Sequence, residues 1–120
     1  MKMMRLIPML PVKSMPASVE FYSKLGFKVE RRVDEWGWAM LHFDDCRLMV
    51  DQSINSPWIQ HRQNVLYLYP EDIVEYHRQV RNSGLDIPEL ETTFYGLTEF
   101  RFNDPDGNRL WIGQDTPKAG

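Results

Sequence analysis

Cysteine is nearly absent from this chain, and so are long apolar runs. Its 120 residues include one cysteine, Cys46, which excludes an internal disulfide and any zinc site built from several cysteines. No apolar run approaches the roughly 20 residues that a membrane-spanning helix needs. The start, Met1–Arg5, lacks the apolar core and the cleavage site of a secretory signal. We therefore expect a cytoplasmic protein that makes no membrane contact.

The chain also lacks a strong excess of charge of either sign. A formal net charge of −3 and scattered basic residues argue against a surface for nucleic acid. The sequence contains neither a glycine-rich phosphate loop nor a Ser or Cys in a nucleophile turn. Its 42% hydrophobic and 26% charged residues are the composition of one ordinary globular domain.

The first half of the chain predicts a strand, a helix and three further strands. Leu6–Val12 is apolar but carries Pro8 and Pro11, which favours a strand at an edge or at a crossing between units. Ser14 can cap the helix that follows, and Gly26 can close it. The strands predicted after it are Phe27–Val33, Trp36–Phe43 and Arg47–Asp51.

The second half repeats this order after a polar linker. A strand at Asn64–Tyr69 precedes a helix that Gly84 stops, whose apolar face is Ile73, Tyr76, His77 and Val80. Three strands follow, at Asp86–Thr92, Leu97–Phe102 and Arg109–Gln114. The repeat predicts an α+β domain over residues 1–120, built from two βαβββ modules at about 4–52 and 64–115, with a linker at about 53–63. Neither module can bury a sizeable core alone. We therefore expect the modules to pair, within one chain or between two chains.

The stretch Phe102–Trp111 predicts a tight hairpin late in the second half. Pro105 presets a turn angle and Gly107 supplies a positive φ, while Asp104 and Asp106 can bond the amides of the turn. Spacing alone indicates no more than a β-hairpin between two half-buried strands.

Two motifs, one of which includes this hairpin, resemble those of a known superfamily. Residues 18–27 and 100–108 resemble the first helix and the last hairpin of the vicinal oxygen chelate superfamily, which includes glyoxalase I, extradiol dioxygenases and bleomycin-resistance proteins. The start Ile7–Leu10, and the pair Tyr95-Gly96 ahead of Glu99-Phe100, resemble bleomycin-resistance proteins most. The resemblance implies curved, mostly antiparallel sheets in the glyoxalase/bleomycin-resistance fold. It also implies a homodimer that binds a small molecule in clefts at the dimer interface.

Metal ligands are missing from the positions where this resemblance expects them. Catalytic members hold a divalent metal with His, Gln or Glu, and the corresponding positions fall here at Ile7, at Asn64 or Val65, and at Trp111. A metal needs several converging nitrogen or oxygen donors, and these side chains do not supply them. We therefore expect no metal, no cofactor and no catalytic residue.

The histidines do not restore such a site. The chain has three histidines, His42, His61 and His77. No two of them have the spacing of a metal-binding pair on one helix face. His42 with Glu99 is conceivable as a partial site, since both are on predicted strands. Each histidine is more often a hydrogen-bonded structural residue than a ligand.

Large aromatic side chains recur on the predicted strands and strand ends. Any one of them can simply belong to the core, but together they suit a groove for a flat or cationic organic ligand. Among the acids, Glu99 needs a partner because its strand faces apolar walls, whereas Asp44 and Asp45 suit a plain turn. The predicted ligand-binding residues are Trp38, Trp58, Tyr67, Tyr95, Glu99 and Phe100.

Two functions from different classes follow from these observations. The first is a metal-free protein of the bleomycin-resistance type, which confers antibiotic resistance by sequestering a bleomycin-like or other aromatic or cationic ligand. The alternative is a metal-dependent, glyoxalase-like lyase or isomerase, or a dioxygenase, with ligands offset by a residue or two. A structural or regulatory role is a third possibility that the sequence leaves open.

Overall fold

The computed structural model describes residues 1–54 and 64–116, and the chain divides into two compact units, Met1–Gln60 and His61–Gly120. The helices are α1 Met15–Lys24 and α2 Ile73–Asn82. The strands are β1 Met9–Pro11, β2 Lys28–Val33, β3 Trp38–Phe43, β4 Cys46–Asp51, β5 Val65–Leu68, β6 Glu91–Thr92, β7 Leu97–Asn103 and β8 Arg109–Asp115. Each unit therefore has the predicted order of one strand, one helix and three strands. Neither helix is long and apolar enough to cross a membrane.

In the first unit, α1 packs against a sheet with the strand order β1-β4-β3-β2. The Ser14 hydroxyl accepts a hydrogen bond from the Ala17 amide (3.3 Å) and so caps the helix as predicted. Gly26 follows the helix with φ +107°, a conformation that a side chain would strain. The core residues of this unit alternate along β3 and β4 and recur at helical spacing along α1, and they include Met15, Val19, Tyr22, Ala39, Leu41, Leu48 and Val50.

The second unit repeats this arrangement, with the strand order β5-β8-β7-β6. Asp72 caps α2, since its carboxylate accepts a hydrogen bond from the Glu75 amide (3.2 Å). The helix face predicted to be apolar is buried, and it packs on one face of the sheet, where the His77 ring lies edge-on to Phe100 at 4.9 Å. The buried residues of this layer are Ile73, Tyr76, His77, Val80, Phe100, Leu110 and Ile112.

Three strands differ from the sequence prediction, each where a proline or a turn interrupts the predicted strand. β1 begins only after Pro8 and pairs in parallel with β4 of its own chain. β3 begins at Trp38 rather than Trp36, because Asp34–Trp36 form a 3-10 turn. β6 is reduced to two residues, and the proline at position 88, which has no amide N–H, lies in the part that was predicted to pair.

The last hairpin connects β7 to β8 as predicted. One carboxylate oxygen of Asp104, Oδ1, accepts the amide N–H groups of Asp106 (2.9 Å) and Asn108 (2.8 Å). The other, Oδ2, accepts the side-chain amide of Asn108 (2.8 Å). Gly107 has the positive φ, +84°, that the turn requires. Asp104 and Asn108 are buried, so their hydrogen bonds hold the two central strands of this sheet in register.

We expect Asp104→Ala to destabilise the chain by roughly 2–4 kcal/mol, because it leaves several donors of a buried turn without their acceptor. Asp45→Ala is the matched control, since Asp45 is an exposed residue of the turn between β3 and β4 and its loss should cost less than about 0.5 kcal/mol. Urea unfolding of both variants measures the difference. Equal stabilities would show that the Asp104 carboxylate does not hold the hairpin.

Candidate functional site

The sheet of the second unit has one face on α2 and one face pointing away from it. We call the second the outer face. Successive residues of a strand alternate between the two faces, so Glu99 and Arg101 of β7 share the outer face while Phe100 points to α2. The cross-strand pairs Arg101–Trp111 and Tyr67–Trp111 place residues from three strands side by side on it. The register therefore gathers a carboxylate, a guanidinium and aromatic rings.

Glu99 lies at the centre of this group and is 6% exposed. Its Oε1 accepts a hydrogen bond from the Tyr95 hydroxyl (2.9 Å) and forms an ion pair with Arg101 Nη2 (3.0 Å). Its Oε2 accepts one from the Tyr67 hydroxyl (3.1 Å). A buried carboxylate is costly unless it is paired and hydrogen-bonded, and here three side chains of the same unit meet that need.

Arg101 connects the carboxylate to the aromatic rings. Its Nη2 also donates to the Tyr95 hydroxyl (2.9 Å), so Tyr95 accepts from Arg101 and donates to Glu99. The guanidinium carbon lies 3.6 Å from the centre of the Trp111 ring, a stacked cation–π contact. We refer to Tyr67, Tyr95, Glu99, Arg101 and Trp111 as the Glu99 cluster.

Tyr67 is held on three sides. Its ring stacks on Tyr69 at 4.7 Å and meets Trp111 edge-on at 5.8 Å. A Cβ atom at Gly113 would lie 3.0 Å from Tyr67 Cε1, so the ring occupies the space that a side chain on β8 would fill. Burial, and then the hydrogen bond to Glu99, raise the pKa of Tyr67 to about 12. The phenol therefore remains neutral and donates at physiological pH.

A cavity of about 250 Å³ adjoins the cluster. Carboxylates from the β6 side and the guanidinium of Arg101 give it a mixed charge. Its lining residues are Pro88, Glu89, Glu91, Glu99, Phe100 and Arg101. The outer face beside it exposes aromatic surface, since Tyr69 is 67% and Tyr95 49% exposed. The arrangement offers flat rings for stacking together with fixed polar groups, a combination typical of sites for small organic molecules.

The predicted site residues are distributed over the chain. The structure brings Tyr67, Tyr95 and Glu99 together in the second unit, by direct hydrogen bonds. Phe100 is 2% exposed and packs toward α2, although it also contributes to the wall of the cavity. Trp38 lies half-buried in the first unit, where the Arg31 guanidinium is 5.8 Å from its ring. Trp58 lies outside the described residues.

Metal-binding side chains do not cluster where the structure describes the chain. Over residues 1–54 and 64–116, no three His, Cys, Asp or Glu side chains converge as metal ligands would. His77 is occupied structurally, because its Nε2 lies 2.7 Å from the carbonyl oxygen of Pro88 and a carbonyl can only accept. His42 and Glu99 belong to different units, and His61 lies outside the described residues.

The candidate site also contains three residues that were not predicted from the sequence: Tyr69, Arg101 and Trp111. Strand alternation alone would have placed Arg101 beside Glu99, two residues apart on one face. Within its own unit, Glu99 has the partners Tyr67, Tyr95 and Arg101. The carboxylate is thus an internal anchor of the face rather than a free counter-ion.

The chain is similar to known proteins in both sequence and fold. The family model described as Glyoxalase/Bleomycin resistance protein/Dioxygenase superfamily matches residues 6–112. A bleomycin-binding protein, solved in complex with bleomycin, is 25% identical, with a TM-score of 0.75 over 94% of this chain and 99% of its own. A bleomycin resistance determinant encoded on the transposon Tn5 is also 25% identical, with a TM-score of 0.76 over 94% and 98%. No curated protein matches. The neighbours confirm the predicted fold of two βαβββ units.

The raised pKa of Tyr67 predicts a pH dependence of stability. A phenol with a pKa of about 12 in the folded chain and 10.0 when unfolded stabilises the fold below pH 10. That contribution is lost as the pH rises from 10 through about 12, because the unfolded chain releases its proton first. The free energy of unfolding in urea should therefore fall more steeply over this range in the wild type than in Tyr67→Phe. Parallel curves would contradict the assignment.

Proposed function

We propose that the chain, which belongs to the Glyoxalase/Bleomycin resistance protein/Dioxygenase superfamily, is a binding protein that sequesters a small aromatic molecule. The observation that carries this proposal is the Glu99 cluster, in which fixed hydrogen-bonding groups stand among exposed aromatic rings. Such sites use aromatic surface for affinity and a few fixed polar groups for orientation. Holding the polar groups in place beforehand lowers the entropic cost of binding.

A bleomycin-type glycopeptide is the first ligand to consider. The neighbour solved with bleomycin shares this fold over nearly its whole length, and the outer face offers rings on which a flat group can stack. The proposed contact residues are those predicted from the sequence, Trp38, Trp58, Tyr67, Tyr95, Glu99 and Phe100, together with Tyr69, Arg101 and Trp111. We propose that the protein acts without a metal or other cofactor, in the cytoplasm, and so contributes to antibiotic resistance.

Calorimetric titration of bleomycin into the purified protein tests the proposal. We expect binding by the wild type, and binding weaker by about 0.5–1.5 kcal/mol in Tyr69→Ala, which removes one stacking ring. Val74→Ala is the matched control, because Val74 is an exposed residue of α2, on the other side of the sheet. Absence of heat with the wild type would remove bleomycin as the ligand. Near-stoichiometric Ni, Zn, Fe or Mn in the purified protein would favour the metal-dependent enzyme instead.

We also propose that the protein works as a homodimer. In the second unit α2 packs on one face of the sheet, and a second chain would border the outer face and close a cleft around the ligand. Sedimentation at micromolar concentration should give a species of twice 14.3 kDa. A species of 14.3 kDa alone would contradict the dimer, and the titration with bleomycin would then be interpreted for a monomeric site.

A further inference from the structure

The two charged residues of the Glu99 cluster differ in what they can offer a ligand. The side chain of Glu99 is 7% exposed, whereas that of Arg101 is 41% exposed. Two tyrosine hydroxyls and the Arg101 cation already contact the two oxygens of the Glu99 carboxylate, at 2.9 to 3.1 Å. A cationic ligand would therefore have to displace Arg101 before it could pair with Glu99. Within the cluster, the guanidinium is therefore the charge that a ligand on the rings can reach.

The guanidinium of Arg101 is also oriented for recognition. Stacking on Trp111 at 3.6 Å covers one of its two flat sides and fixes its plane. Its hydrogen bond to Tyr95 and its ion pair with Glu99 both use Nη2, whereas a guanidinium carries five N–H donors on three nitrogens. The other two nitrogens can donate to an acceptor on a molecule that lies on the outer face.

The exposed rings beside it favour a flat partner. Tyr95 hydrogen-bonds to Arg101 and is half exposed, and Tyr69 extends the stack of Tyr67 outward. A planar ring resting against them would bring a substituent of the ring within reach of the guanidinium. Carboxylates match the planar fork of an arginine with two parallel hydrogen bonds.

We infer that the outer face selects a flat aromatic molecule that carries an acceptor oxygen, above all a carboxylate, and that Arg101 is the residue that determines this preference. The inference rests on the proposed small-molecule binding and specifies the class of ligand. It differs from the expectation of a cationic ligand, because the charged group stacked on the Trp111 ring is the Arg101 guanidinium and the Glu99 carboxylate is already paired.

Naphthoate and naphthylmethylamine are matched probes for this preference, since both carry the same flat ring with charges of opposite sign. Calorimetric titration of each into the wild type should show tighter binding of naphthoate. In Arg101→Gln, naphthoate affinity should fall roughly 10- to 100-fold, the scale of a lost charge-assisted hydrogen bond. Arg101→Lys keeps the charge but lacks the planar fork, so it should restore the affinity only in part.

Two further variants separate recognition from folding. Arg78→Gln is the control, because Arg78 is an exposed arginine of α2, on the other side of the sheet, and its loss should leave naphthoate binding unchanged. Arg101→Gln alone leaves the buried Glu99 carboxylate without its cation. The double variant Glu99→Gln/Arg101→Gln removes both charges together, and thermal unfolding verifies that it is folded. It should also lose the preference for naphthoate.

The outcomes separate this inference from the proposed function. In the wild type, equal or tighter binding of naphthylmethylamine, or no binding of naphthoate at millimolar concentration, would overturn the inference. Unchanged naphthoate affinity in folded Arg101→Gln or in the double variant would also overturn it. Bleomycin titrated into the same samples tests the proposed function. Bleomycin binding without naphthoate binding would overturn the inference alone, and naphthoate binding without bleomycin binding would support it and change only the proposed ligand.

Discussion

A carboxylate removed from water is the constraint on which the second unit depends. Glu99 is 6% exposed on a sheet face lined with rings, and an ionised carboxylate in such a position is stable only where several donors converge on it. Tyr67 comes from β5, Tyr95 from the turn before β7, and Arg101 from β7 itself. The need to satisfy one side chain thus ties together three separate segments of the chain and fixes where their rings point.

Much of the architecture could be predicted from short-range signals. The cap of α1, the glycine stops of both helices, the Asp-Pro-Asp-Gly turn and the period-two alternation each depend on residues close together in the sequence, and these features are present in the structure. The errors occur where backbone donors are missing or turns intervene, as at Pro8, at Pro88 and before Trp38. Strand ends depend on which partner is available, and a single strand's composition contains little of that information.

The site was harder to predict, because its contacts depend on register. Glu99 and the tyrosines stand out as polar or aromatic residues on strands, but the pairing of Arg101 with Trp111 depends on how β7 aligns with β8. One residue of slip would move Arg101 away from the ring and turn alternate side chains to the other face. The hairpin around Asp104 sets that alignment, so a turn with no part in binding determines which groups meet on the outer face.

Gly113 shows how a residue without a side chain contributes to this chemistry. Glycine within a strand lowers stability by roughly 0.5–1 kcal/mol relative to alanine, so β8 would be a stronger strand with another residue there. Any Cβ at this position would press on the Tyr67 ring at 3.0 Å and move its hydroxyl relative to Glu99. Strand propensity and site geometry therefore oppose each other at position 113, and the conflict is resolved in favour of the site. A change that strengthened the sheet at this point would loosen the carboxylate anchor on its outer face.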